Sequence, residues 1–188
     1  GYGAQASERA AELARHFTQG HDIPRAVQYL LQAGQNALRL SAHVEALSRF
    51  TQGLTLLTAQ PETPERTQQE VGLQIGVGVA QMATKGFAAP EVERAFVRAH
   101  LLCQQIGDTP DLFHVLIGLW AFYFTRGELL TARTLAERLL RLAHTADNPA
   151  LLAVDLAEVD EWLAALPVDT NDHDRVLLMP ECIDPARL

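Results

Sequence analysis

Apolar residues recur along this chain at the i, i+3, i+4 spacing of one helix face, and short stretches rich in Gly, Pro, Asp and Thr separate the runs. Ser7 is expected to cap a first helix bearing Ala10, Leu13, Ala14 and Phe17, which Gly20 ends. Pro24, after Asp22, opens a second helix to about Leu40 with Ala26, Leu30, Ala33 and Ala37 inward. A third, from about His43 to Thr58, sets Val44, Leu47, Phe50, Leu54 and Leu57 on one side, and residues 60–65 form a linker. The fourth starts at Thr63-Pro64 and runs to about Thr84 with Val71, Ile75, Val79 and Met82 as apolar markers. Its Gly72, Gly76 and Gly78 each cost up to about 1 kcal/mol relative to Ala, so they are read as sites of close helix approach. Pro90 opens a fifth helix, with Glu91 and Glu93 in its first turn and Val92, Ala95, Phe96, Ala99, Leu102, Cys103 and Ile106 buried, ending at Gly107. Thr109-Pro110 begins the sixth, Gly127 turns into the seventh, and Asn148-Pro149 begins an eighth that continues to about Leu166.

The sixth and seventh helices define the repeating plan. Leu119, Trp120, Tyr123, Gly127 and Ala132 resemble the Leu, small, Tyr, Gly, Ala order of tetratricopeptide repeats, with Trp120 where a small residue is usual, which predicts wider local packing. In the seventh helix Ala132, Leu135, Ala136, Leu139, Leu140 and Ala143 share one face; Arg133, Glu137 and Arg141 lie opposite, with Glu137 and Arg141 as the better-oriented ion pair. Pro24, Pro64, Pro110 and Pro149 open successive helix pairs at spacings of 40, 46 and 39 residues. That period is longer than the roughly 34 residues of a tetratricopeptide repeat and overlaps the HEAT and armadillo range. The fold expected is all-α, a right-handed solenoid of antiparallel helix pairs of tetratricopeptide type with a period of about 40, HEAT-like stacking being the alternative. Residues 1–166 would form the repeat segment and 167–188 an irregular acidic tail, since Asp155 to Asp174 hold seven carboxylates and no Lys or Arg.

A net charge of −8 argues against nucleic acid or an anionic membrane as partner, because both need clustered cations. No apolar run approaches the roughly 18 residues of a membrane span. Cys103 and Cys182 are too few for a disulfide framework, which makes a reduced, cytoplasmic setting the simpler expectation. Gly1 is not a start residue and no signal peptide follows, so the chain is expected to be an internal piece of something longer.

Candidate chemistry is sparse. His100 and Cys103 stand at i, i+3, but no CxxC or HExxH spacing supplies further ligands, so no metal is expected; Cys103 reads as core and His100 as surface or groove. His16 and His21 flank a Gly turn and are assigned to capping or solvent. No Gly-x-Ser-x-Gly or caspase-like Cys context occurs, and the only lysine, Lys85, precedes Gly86 rather than the Ser or Thr of a phosphate loop. Catalytic residues and cofactors are therefore not expected in this segment. His114, Ile117, Ala121 and Phe124 are the candidate groove residues, spaced to share the face of the sixth helix opposite Leu119 and Tyr123.

The runs Met82–Ala95 (MATKGFAAPEVERA) and Leu102–Pro110 (LCQQIGDTP) resemble the carboxy-terminal repeat region of large bacterial signalling ATPases, many of which join a class III adenylate or guanylate cyclase domain to a P-loop ATPase module and tetratricopeptide-like repeats. Ile23–Leu30 and Ser41–Ala46 are similar too, so the resemblance covers about residues 7 to 151. It implies a non-catalytic scaffold that binds a protein partner or small effector and biases an upstream ATPase and cyclase. The alternatives are a stand-alone adaptor and a segment that completes an enzyme active site. Ala10, Leu13, Ala14 and Phe17 at one end, and Leu152, Leu156, Val159 and Leu163 at the other, would leave repeat ends through which the chain self-associates.

Overall fold

A computed structural model describes residues 2–107 and 110–145. Seven helices and no strand occupy the described residues: α1 Tyr2–Gln19, α2 Ile23–Arg39, α3 His43–Thr58, α4 Pro64–Lys85, α5 Pro90–Ile106, α6 Asp111–Thr125 and α7 Leu129–Thr145. The expected eighth helix and acidic tail lie outside the described residues. Local chemistry accounts for the helix starts. The Asp22 carboxylate accepts the Arg25 N–H ahead of α2, and the Thr63 hydroxyl accepts the Arg66 N–H ahead of α4. Each such cap is worth about 1 kcal/mol, and Pro24, Pro64 and Pro90 add the fixed φ of a first turn. Because α1 begins at Tyr2, Ser7 lies within the helix rather than at its cap.

Three connections share one turn. α1, α2 and α6 each end where an N–H reaches back five residues: Asp22 to the Phe17 carbonyl, Ala42 to Ala37 and Glu128 to Tyr123, each at 2.9 Å. The residue before each donor is left-handed, and it is His21 (φ 60°), Ser41 (φ 57°) and Gly127 (φ 75°) respectively. The turn after α1 thus strains His21, and Gly20, the expected terminator, precedes it.

Every helix packs on the next, and the even-numbered helices also touch one another, α2 against α4 and α4 against α6; no comparable packing joins α2 to α6. Phenylalanines of the odd helices fill the angle between successive even ones. The Phe50 ring of α3 sits between Gly34 of α2 and Gly76 of α4; a Cβ on either glycine would stand 2.3 or 2.6 Å from the ring. Phe96 of α5 sits likewise between Gly78 of α4 and Gly118 of α6, at 2.4 and 2.3 Å. No Cβ fits at such distances, so glycine lets the even helices close onto the ring. The close approach in α6 falls at Gly118, two residues before Trp120, which is half-buried and stacks on Phe124 at 5.4 Å.

Polar contacts brace the same frame. Glu70 of α4, buried, accepts from Arg98 Nε of α5 at 2.8 Å and lies 3.5 Å from Arg66, whose own Nε donates to the Leu57 carbonyl of α3. The Tyr123 hydroxyl donates to Glu93 at 2.9 Å, tying α6 to α5. Glu137 pairs with Arg133 at 3.1 Å, within the polar face expected of α7.

Three apolar assignments need correction. Val44 is 76% exposed, because α3 buries Ala46, Phe50, Gly53 and Leu57, and at about 100° per residue Val44 falls on the far side of that stripe. Val79 is 39% exposed, on a stripe of α4 that the other described helices leave accessible. The α1 stripe, expected to be an open repeat end, packs on α2: Ala10 and Ala14 are buried, and Phe17 stacks on Tyr29 at 5.4 Å under Arg25.

Candidate functional site

Each even helix has one stripe of exposed and partly buried residues, of which Ile75, Ile117 and Leu31 also pack against the core. On α4 it is Gln68, Gly72, Ile75, Val79 and Ala83; on α6 it is His114, Ile117, Ala121 and Phe124; on α2 it includes Gln28, Leu31, Gln32 and Gln35. Successive members on α4 and α6 are three or four residues apart, and on α2 Gln28, Gln32 and Leu31, Gln35 are each four apart, the spacing of one helix face. Since α2, α4 and α6 pack side by side, the three stripes form one surface. Leu31 would lie 3.3 Å from a Cβ on Gly72, Gln69 of α4 donates to the Pro24 carbonyl at 3.0 Å, and Gln68 donates to Asp111 at the start of α6. The structure thus places the four groove residues on this surface: His114 and Phe124 are exposed, and Ile117 and Ala121 are partly buried.

The surface carries a feature that the groove residues alone do not reveal. Residues 26–38, 71–84 and 112–125 contain no Asp, Glu, Lys or Arg, although α4 carries Glu65, Arg66 and Glu70 ahead of its run. The odd helices carry the charge instead, including Glu45 and Arg49 on α3, Arg94 and Arg98 on α5, and Arg133, Glu137 and Arg138 on α7. Val79 and the glutamines of α2 belong to the surface and were not foreseen. A comparison of charge-free runs between alternate helices in the sequence would have found them.

A concavity of about 900 Å³ lies between α1 and α3 over Leu30 of α2, with Ala14, Arg15 and Thr18 on one wall and Val44, Leu47, Ser48 and Thr51 on the other. The Thr18 and Thr51 hydroxyls donate back to the Ala14 and Leu47 carbonyls of their own helices.

His100 is a correction. Expected at the surface, it is fully buried on α5, its Nε2 3.2 Å from Arg138 of α7. A guanidinium only donates, so Nε2 must accept and the ring must be neutral. Burial, and secondarily the Arg138 charge, push its pKa down to about 4. Cys103 lies in the core as expected; burial, then Asp111, push its thiol up to about 11. Among the described residues no three His, Cys, Asp or Glu side chains converge as metal ligands would, and no helix is long and apolar enough to cross a membrane. His16 and His21 are exposed.

No protein family, curated protein or solved structure was found to match the chain.

Proposed function

We propose that this chain is a repeat scaffold, a solenoid of tetratricopeptide-like helix pairs that docks a protein partner or effector on the surface of α2, α4 and α6. The observation that carries this reading is the repeated seat of Phe50 between Gly34 and Gly76 and of Phe96 between Gly78 and Gly118. One wedge used twice joins successive helix pairs in the same way, which is how solenoids extend. It also sets the even helices side by side, so that their partly exposed stripes adjoin.

The biological setting rests on the resemblance of Met82–Ala95 and Leu102–Pro110 to the repeats of bacterial signalling ATPases. In that setting the scaffold is cytoplasmic, holds no cofactor, and regulates a P-loop ATPase and a nucleotide cyclase through a ligand that favours one shape of the stack. The test is ATP hydrolysis by the parent polypeptide carrying Val79→Glu with Phe124→Glu. A changed turnover rate with unchanged ATP affinity is expected; an unchanged rate would overturn the regulatory reading.

A further inference from the structure

We propose that α7 is an acid-released helix: a second proton on His100 of α5 turns its contact with Arg138 from a hydrogen bond into a repulsion, and α7 leaves the stack while α2 to α4 stay packed. The geometry admits only a neutral ring. His100 is fully buried, its Nε2 stands 3.2 Å from an Arg138 nitrogen, and its Nδ1 meets no hydrogen-bond partner among the described residues. A proton on Nε2 would set two donors and two positive charges face to face in a buried site. Among the described residues no neighbouring helix supplies a compensating anion there. The runs of α4 and α6 that flank α5, residues 71–84 and 112–125, hold no Asp or Glu; His114 is exposed, and the Tyr123 hydroxyl donates to Glu93, two turns before His100 on α5. Beyond those runs Glu70 is held by Arg98 and Arg66, Lys85 pairs with Glu91, and Asp111 accepts from Gln68. On α7 Glu137 pairs with Arg133, and Arg141 adds a further positive charge three residues beyond Arg138. Cys103, next to His100 on its own helix face, is neutral, its thiol raised to about 11.

Burial, and secondarily the Arg138 charge, hold the packed ring at about 4, and release of α7 returns it to its ordinary 6.5. The closed contact is therefore complete above about pH 6.5 and weakens toward about pH 4, each unit in that window favouring the open form by up to about tenfold. α7 is also the helix able to leave. Among the described helices its extensive packing is on α6, whereas α4 packs on α2, α3, α5 and α6. Local opening of this kind is a recognised low-energy excursion of folded chains, and a buried histidine gives it a chemical trigger.

Hydrogen exchange resolved along the whole chain, at about pH 7 and about pH 5 and corrected for intrinsic exchange, tests this on wild type, His100→Gln and Arg138→Gln. In wild type, protection of α7 is expected to fall about 20-fold and that of α2 and α3 by less than about twofold. His100→Gln should abolish the fall. Arg138→Gln, which removes the like charge and leaves the burial, should shrink it. Equal losses in α7, α2 and α3 would mean that acid acts on the whole fold, and would overturn the proposal. So would steady α7 protection while the His100 ring titrates near 6.5 by NMR, because Arg138 would then turn aside with α7 in place. A full fall in His100→Gln would assign the trigger to another group. Should that variant not fold, the regional comparison in wild type and the response of Arg138→Gln still decide.

Discussion

His21 and Ser41 hold the left-handed backbone that Gly127 supplies at the third of three equivalent turns. An L side chain pays roughly 1–2 kcal/mol there and glycine does not. His21→Gly and Ser41→Gly are each expected to raise stability by about 0.5–1 kcal/mol, part of the gain being offset by the looser unfolded chain. Gly127→Ala should lower it, and urea unfolding midpoints read all three. His100 gives a pH dependence of fixed sign. Its pKa is depressed from 6.5 to about 4, so the unfolded chain binds its proton first. The stability is fully present above about pH 6.5 and is lost as pH falls toward about 4, by at most about 1.4 kcal/mol per pH unit. Urea unfolding between about pH 7 and about pH 5 should show that slope, and His100→Gln should flatten it.

At the scale of helices, the seats of Phe50 and Phe96 set how closely the even helices approach. Gly118→Ala gains up to about 1 kcal/mol of helix propensity but drives a methyl into the Phe96 ring, a strain of about 1–3 kcal/mol. Net destabilisation is expected, and Phe96→Leu in the same chain should recover part of it, a coupling of about 0.5–3 kcal/mol in a double-mutant cycle. Strict additivity would show that the ring and the glycine do not share a seat. Several features set by neighbours in sequence were legible, namely the proline starts, the glycines of α4 and the Ala132 face of α7, although Ser7, read as a cap, lies inside α1. Features set by distant helices were not. Val44 belongs to an apolar pattern in sequence, but the rotation of α3 is fixed by Phe50 against α2 and α4. His100 is buried by α7, where Arg138 lies 38 residues on. Trp120 occupies the small-residue position of the repeat pattern, yet the contact with Phe96 is made at Gly118.

At the scale of the whole molecule, the only lysine of the sequence, Lys85, precedes Gly86 rather than the Ser or Thr of a phosphate loop, and calorimetric titration with ATP and magnesium is expected to give no binding heat. Micromolar binding at one site would contradict that. The central claim is that the helix pairs stack openly, so that α2, α4 and α6 lie in a row and present one continuous surface. Spin labels at Gln35, Val79 and Phe124, all exposed, measure this by electron dipolar spectroscopy, taken in pairs with Cys182 replaced by Ser. Cys103 is buried, which shields it from the label. With neighbouring helix axes about 8–10 Å apart, an open row places the α2 and α6 labels about 20 Å apart, twice the distance of either to α4. Three equal distances of about 10 Å would mean that α2 and α6 are neighbours in a closed bundle, and the continuous surface would not exist.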